Sequence, residues 1–323
     1  MVREKARKRM ETKREMVDDK LIITKDIGDC LTDGPVLKQY KLGPGVHIKG
    51  AVLWEEDLRE LDLRGCGLQG ARLWETDFTG SHLEGASFKK SSLWSAHFDD
   101  AYLFKADFTG ADLIGASFKG ADLREAKFRG SGRDWTYGTQ IEGADFSRAD
   151  LRGADLSGLA GHHSSMVDAK FDYADLRGAK FRGSGMGRYG SGSYLGYTHF
   201  RESDLREVDL KRLDLREADF RGADLRGADL RGTKCYDIQL DGADLRGTKL
   251  EDITFGEFGK EYVWGHITYD EFTKYDAGSS IDLRIKEIQK LFGSKGELYK
   301  DLFLTADVRK KAYDKIPKVA WTW

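Results

Sequence analysis

Proline is nearly missing: the 323-residue chain holds 3, at Pro35, Pro44 and Pro317, and none between the last two. Proline removes a ladder donor, so a long proline-free stretch suits an extended β array. Cysteine is equally sparse. Cys30, Cys66 and Cys235 are odd in number and far apart. That suits reduced thiols in a cytosolic protein better than a disulfide framework. No apolar run approaches the roughly 20 residues of a membrane span. The opening stretch, MVREKARKRMETKREMVDDK, has no apolar segment, so neither a secretory leader nor a transit peptide is expected there. Net charge is only −2, too balanced for a strongly basic nucleic-acid binder.

Catalytic chemistry is missing in the same way. There is no phosphate-cradling glycine loop. His162 and His163 are the only clustered histidines and lack partners at metal-ligand spacing. Aspartates recur before many central residues, but in positions suited to turn bonding rather than to acid–base pairs. The expectation is no catalytic residue, no cofactor and no metal, in a protein that is not an enzyme.

What is present is a period. From Val46 the chain reads in fives: VHIKG, AVLWE, EDLRE, LDLRG, CGLQG, ARLWE. The centre is nearly always Leu or Phe, and the residue two before it is small. Two residues apart, both point inward, while the other three positions face out or turn the chain. A turn every five residues makes a square coil of twenty. Stacked coils then satisfy backbone groups through bonds to the coils above and below, at about 4.8 Å per coil. By this register Cys66 and Cys235 point inward, as inert thiols.

ADLRG occurs verbatim at Ala149, Ala174, Ala223, Ala228 and Ala243. The sequence resembles the pentapeptide-repeat family, whose motif is A(D/N)LXX, over about 46–257. That resemblance implies an all-β solenoid, a right-handed quadrilateral β-helix. Counting centres gives about nine coils. Residues 1–45 read as a polar, helix-like N-terminal arm followed by a cap over 21–45. Residues 258–323 read as an α-helical C-terminal region, with helix signals at Ser279–Ser280 and Thr305.

Three places break the rhythm. SGRDWTYG (131–138) and SGMGRYGSG (184–192) are extra and should protrude as loops carrying Arg133, Trp135, Tyr137, Arg188 and Tyr189. LAGHHSSMVD (159–168) keeps the frame but matches poorly: Met166 fits a centre and Gly161 does not.

The outward columns bear on function. Twenty-residue spacing stacks Asp204, Asp224 and Asp244 beside Arg206, Arg226 and Arg246. It also stacks Trp54, Trp74 and Trp94, each one residue after a central Leu, with Ile114 continuing the column. An outward apolar stripe marks an interaction site, and large aromatics are favoured anchors. The chain's own residues 21–45 or C-terminal segment could cover it; so could a protein partner or a second copy. Two functions follow. One is a noncatalytic interaction or assembly protein, in the cytoplasm or within a virion or other large assembly, with protein partners and no direct nucleic-acid or membrane contact. The other, implied by the family, is a DNA-mimicking modulator of a type II topoisomerase. Residues 46–257 sum to about −7, a diluted field for a mimic.

Overall fold

The computed structural model describes residues 13–17, 20–26, 37–130, 138–157, 166–181, 195–235, 238–253 and 274–275. Parallel bridges join residues twenty apart on four successive faces: His47 to Gly67, Val52 to Arg72, Asp57 to Asp77 and Asp62 to His82. The coil is therefore four-sided with five residues per side. The first to fourth faces are numbered from these four bridges.

Each corner is built locally. The carbonyl of a central residue accepts the amide of the residue three later, as from Ala106 to Leu103 at 2.9 Å. The residue between them, two after the centre, takes a positive φ, as a type II turn requires. Gly65 does so at 64° without strain, whereas Glu55 adopts 58° at a steric cost of about 1 kcal/mol. Bonds between coils hold these corners: Leu53 donates to the Arg72 carbonyl at 2.9 Å and Arg72 donates back to Ala51 at 2.8 Å.

The core follows the faces. Leucines line the second and fourth faces, and phenylalanines fill much of the first and third. Phe78, Phe98, Phe118, Phe146, Phe171, Phe200 and Phe220 stack with centroids 4.8–5.3 Å apart and planes within 12°. Phe88, Phe108 and Phe128 form the facing stack and meet the first edge-on, as between Phe88 and Phe98 at 5.5 Å and 83°. Such edge-to-face pairs add about 0.5–1.5 kcal/mol beyond burial.

One ladder runs His47, Gly67, Ser87, Asp107, Lys127, Asp155, Lys180, Asp209, Asp229 and Lys249. Its steps are 20 residues except for 28 from Lys127, 25 from Asp155 and 29 from Lys180. The additional 8, 5 and 9 residues all enter between the first and second faces, in three successive coils. Met166 is a buried centre. The 25-residue step holds one whole pentapeptide more than a coil needs, so the five-residue frame is kept across it; Gly161 lies outside the described residues.

At the N-terminal end three antiparallel strands, β1 (Lys13–Val17), β2 (Lys20–Asp26) and β3 (Leu37–Leu42), form a sheet in the order β1-β2-β3. The polar segment is thus in part a strand, which corrects the helix-like reading: its antiparallel pairing with β2, from Lys13 opposite Thr24 to Val17 opposite Lys20, overrides helix propensity. Ile23, Tyr40 and Leu42 are buried and join the core of the first coil, shielding an end whose backbone would otherwise be a template for pairing. Glu56 stands in an inward position where later coils place a small residue. It is 2% exposed and is met by Lys25 and Arg14, each at 2.7 Å. Burial lowers the Lys25 pKa, opposed by its hydrogen bond to Glu56.

At the other end β4 (Lys249–Leu250) pairs in parallel with β5 (Lys274–Tyr275), which extends the first-face ladder by one rung. The helices expected at Ser279–Ser280 and Thr305 lie outside the described residues.

Candidate protein-interaction face

The second face places the tryptophans by backbone bonding. The carbonyls of Trp74, Trp94 and Ile114 accept the amides of Glu55, Glu75 and Ser95, each at 2.9 Å. Consecutive coils are therefore locked in register at this column, and Leu53, Leu73, Leu93 and Leu113 are fully buried beside it. The four following side chains point out. Trp54 is half-buried: its ring lies 5.2 Å from that of Trp74, and the Lys25 ammonium sits 4.7 Å above it. Trp74 is 37% exposed and Trp94 52%, and Ile114 is half-buried. The N-terminal sheet thus covers the first rung of the stripe and leaves the next two open. Beside the stripe runs a second outward column of Val52, Arg72, Ser92 and Asp112.

Of the sequence-derived candidates, Trp54, Trp74, Trp94 and Ile114 share one column. Arg133, Trp135, Tyr137, Arg188 and Tyr189 lie outside the described residues. From both insertions the chain re-enters the coil on the tryptophan face, at Ile141 and Leu195.

The fourth face is built differently. Asp122, Asp150, Asp175, Asp204, Asp224 and Asp244 form one bridged column. Each accepts from the arginine two residues on, as Asp175 does from Arg177 through Nε at 2.9 Å and Nη2 at 2.5 Å. Each arginine except the last also reaches the aspartate of the next coil, at 3.3–3.7 Å. The two charges form a zipper along the rod. The aspartate also accepts the backbone amide of that arginine, closing the turn. Its recurrence in the repeat has this local cause.

Asp219, on the third face, shows how strong such pairing becomes when buried. Burial would raise its pKa, but hydrogen bonds from Arg221 and Arg201 outweigh that and hold it at about 2. Burial pushes the Cys66 thiol up to about 12; burial, above all, does the same for Cys235 against a hydrogen bond with Thr233, so both are poor nucleophiles. Cys30, His162 and His163 lie outside the described residues. Among the described residues no His, Cys, Asp and Glu group of three or more could hold a metal, and no helix is long and apolar enough to cross a membrane.

Sequence reasoning missed a smaller aromatic patch on the fourth face. His82 and Tyr102 stack at 4.5 Å, and Phe104 lies under Lys105 at 4.6 Å. The signal was available, since His82 and Tyr102 are twenty residues apart before Leu83 and Leu103.

A rod of identical coils whose outward columns vary face by face is a repeat solenoid that presents side chains on a fixed lattice. The family model for pentapeptide repeats matches in 8 copies, over 57–94, 66–103, 95–130, 144–184, 191–222, 211–247 and 223–255. This is more than half of the chain, which belongs to the pentapeptide-repeat family, whose fold is a right-handed quadrilateral β-helix. Similar solved structures include HetL from the cyanobacterium Nostoc, involved in heterocyst differentiation regulation. It is 25% identical, with 66% of this chain and 84% of that one covered and a TM-score of 0.28. QnrB1, a plasmid-mediated fluoroquinolone resistance protein, is 18% identical over 74% of this chain and 97% of its own, with a TM-score of 0.42. A pentapeptide repeat protein of the Arabidopsis thaliana thylakoid lumen is 30% identical over 46% and 71%, with a TM-score of 0.17. Among curated proteins no sequence match is found.

Proposed function

We propose that this chain is a noncatalytic protein-interaction or assembly protein, acting in the cytoplasm or within a larger assembly, and that it docks through the second face. The observation that carries the reading is the tryptophan column, with Trp74 and Trp94 open to solvent on a backbone that fixes their spacing. Rigid aromatics at set intervals lose little entropy on binding and supply large apolar area. The test is affinity purification of the native protein beside a Trp74→Ser/Trp94→Ser variant. The reading expects a stoichiometric protein component that the variant fails to retain; equal retention by both would contradict it.

The fourth face favours this reading over a DNA-mimicking topoisomerase modulator. A mimic must present carboxylates as an uncompensated negative field. Here each aspartate of the longest acidic column is held by an arginine on the same coil. A supercoiling assay with a type II topoisomerase, with and without a quinolone, should accordingly show no effect of the protein at micromolar concentration.

A further inference from the structure

We propose that the occupant of the second face is a second copy of this chain, laid antiparallel, with the two-fold axis crossing the coil of Trp94. This rests on the reading of that face as a docking surface and adds the identity of the partner.

The argument is the order of side chains along the face. An antiparallel pair related by a two-fold axis in the plane between them keeps each column opposite itself and reverses its direction. The two outward columns read Val52, Arg72, Ser92, Asp112 and Trp54, Trp74, Trp94, Ile114. With the axis at the Trp94 coil, Arg72 of one copy faces Asp112 of the other, twice by symmetry. Trp74 faces Ile114, and Trp94 faces its own copy. Moving the axis one coil toward the N-terminus sets Arg72 against Arg72. Moving it one coil the other way sets Asp112 against Asp112.

Size and exposure agree with the same axis. Trp94 is the most exposed of the three tryptophans, at 52%, and it falls at the centre, where binding energy concentrates. Its coil carries only small outward neighbours, Ser92 and Ser95. The coil before it is bulky, with Arg72, Trp74 and Glu75. The coil after it is slight, with Ile114 and Gly115, so bulk meets space. Arg72 is exposed and makes no ion pair among the described residues, nor does Asp112, whose carboxylate accepts only the Ile114 amide there, at 3.3 Å. The aspartates and arginines of the fourth face, by contrast, are satisfied within the chain. The cap closes the face at one end, because Lys25 covers Trp54. An antiparallel pair places the two caps at opposite ends.

Few coils of one face make a short strip, so the contact falls below the roughly 800 Å² per partner of tight complexes, and a dimer of micromolar affinity is expected. Sedimentation velocity of the full chain from about 1 to about 200 µM should show a monomer–dimer equilibrium in that range. Arg72→Asp alone and Asp112→Arg alone should each weaken it by about tenfold or more, by setting like charges opposite each other. Mixed together, the two variants should pair with each other at wild-type affinity, since each then supplies the charge the other needs. If Asp112→Arg fails to fold, Asp112→Ser keeps a residue already used at Ser92 and should show the weakening alone. A chain that stays monomeric throughout would overturn the dimer, even if the Trp74→Ser/Trp94→Ser variant still loses a different partner. A dimer indifferent to Arg72 and Asp112, or two variants that do not recover on mixing, would overturn the arrangement.

Discussion

The second and fourth faces lie on opposite sides of the same coils, share a leucine lining, and are spaced by the same backbone bonds. They nevertheless do different things. The fourth face spends its outward columns on itself: aspartate and arginine are paired within each coil and between coils. The second face leaves tryptophan, arginine and aspartate of its early coils without such partners. The difference shows that in this fold the inward positions set the scaffold and say nothing about binding. On the proposed reading, function lies in what an outward column leaves unsatisfied.

The largest effect should come from the scaffold that both faces share. Phe98 stacks between Phe78 and Phe118 and is fully buried. Phe98→Ala should cost about 3–5 kcal/mol in denaturant unfolding and impair both faces together. If only one face suffered, the coils would not be a common support. Next comes the cap. Glu56→Ala strands the Lys25 charge in a buried site and should cost about 3 kcal/mol, with the Trp54 environment altered in fluorescence. Lys25→Met with Glu56→Ala should recover part of that loss, since no unpaired ammonium is then left buried.

Paired carboxylates contribute a pH-dependent effect. Asp219 and Asp229 are held at about 2, below the roughly 3.9 of a free aspartate. A depressed folded pKa means that the stabilisation is present above about pH 4 and is lost as pH falls from there through about 2. Urea unfolding midpoints should drop across that window, and Asp219→Asn should flatten part of the drop.

The smallest stability effect belongs to the stripe itself. Trp74→Ser with Trp94→Ser should move the unfolding free energy by no more than about 0.5 kcal/mol, as outward positions do. Deleting 131–138 or 184–192 should also leave the thermal midpoint nearly unchanged, because the ladder steps of 28 and 29 residues return to 20 without those segments. A collapse of the fold on deletion would mean that the segments are structural.

The faces were legible in the sequence because each position's fate follows from its place within five residues. Leu73 and Trp74 differ by one position and point opposite ways. Asp204 and Arg206 could be set in columns for the same reason. What could not be read depends on segments without the period. Nothing in KREMV states that Lys13–Val17 would pair with β2, because strand formation there is decided by pairing with the strand that follows rather than by the segment's own propensity. Glu56 broke the small-residue rule, but its meaning needed Lys25 and Arg14 brought from outside the repeat. The poor match over 159–168 marked an irregular stretch, yet only the 25-residue step from Asp155 to Lys180 shows that five residues there are additional to a coil.

Acrylamide quenching of tryptophan fluorescence, compared between the wild-type chain and a Trp54→Phe/Trp74→Phe/Trp94→Phe variant, tests most directly whether the second face is an unsatisfied docking surface. The difference between the two isolates the stripe from Trp135, Trp264, Trp321 and Trp323. At low micromolar concentration or below, the stripe's signal should be strongly quenched, and it should become protected as concentration rises. A stripe inaccessible to quencher even at the greatest dilution would mean that the chain covers its own tryptophans, and would contradict the account.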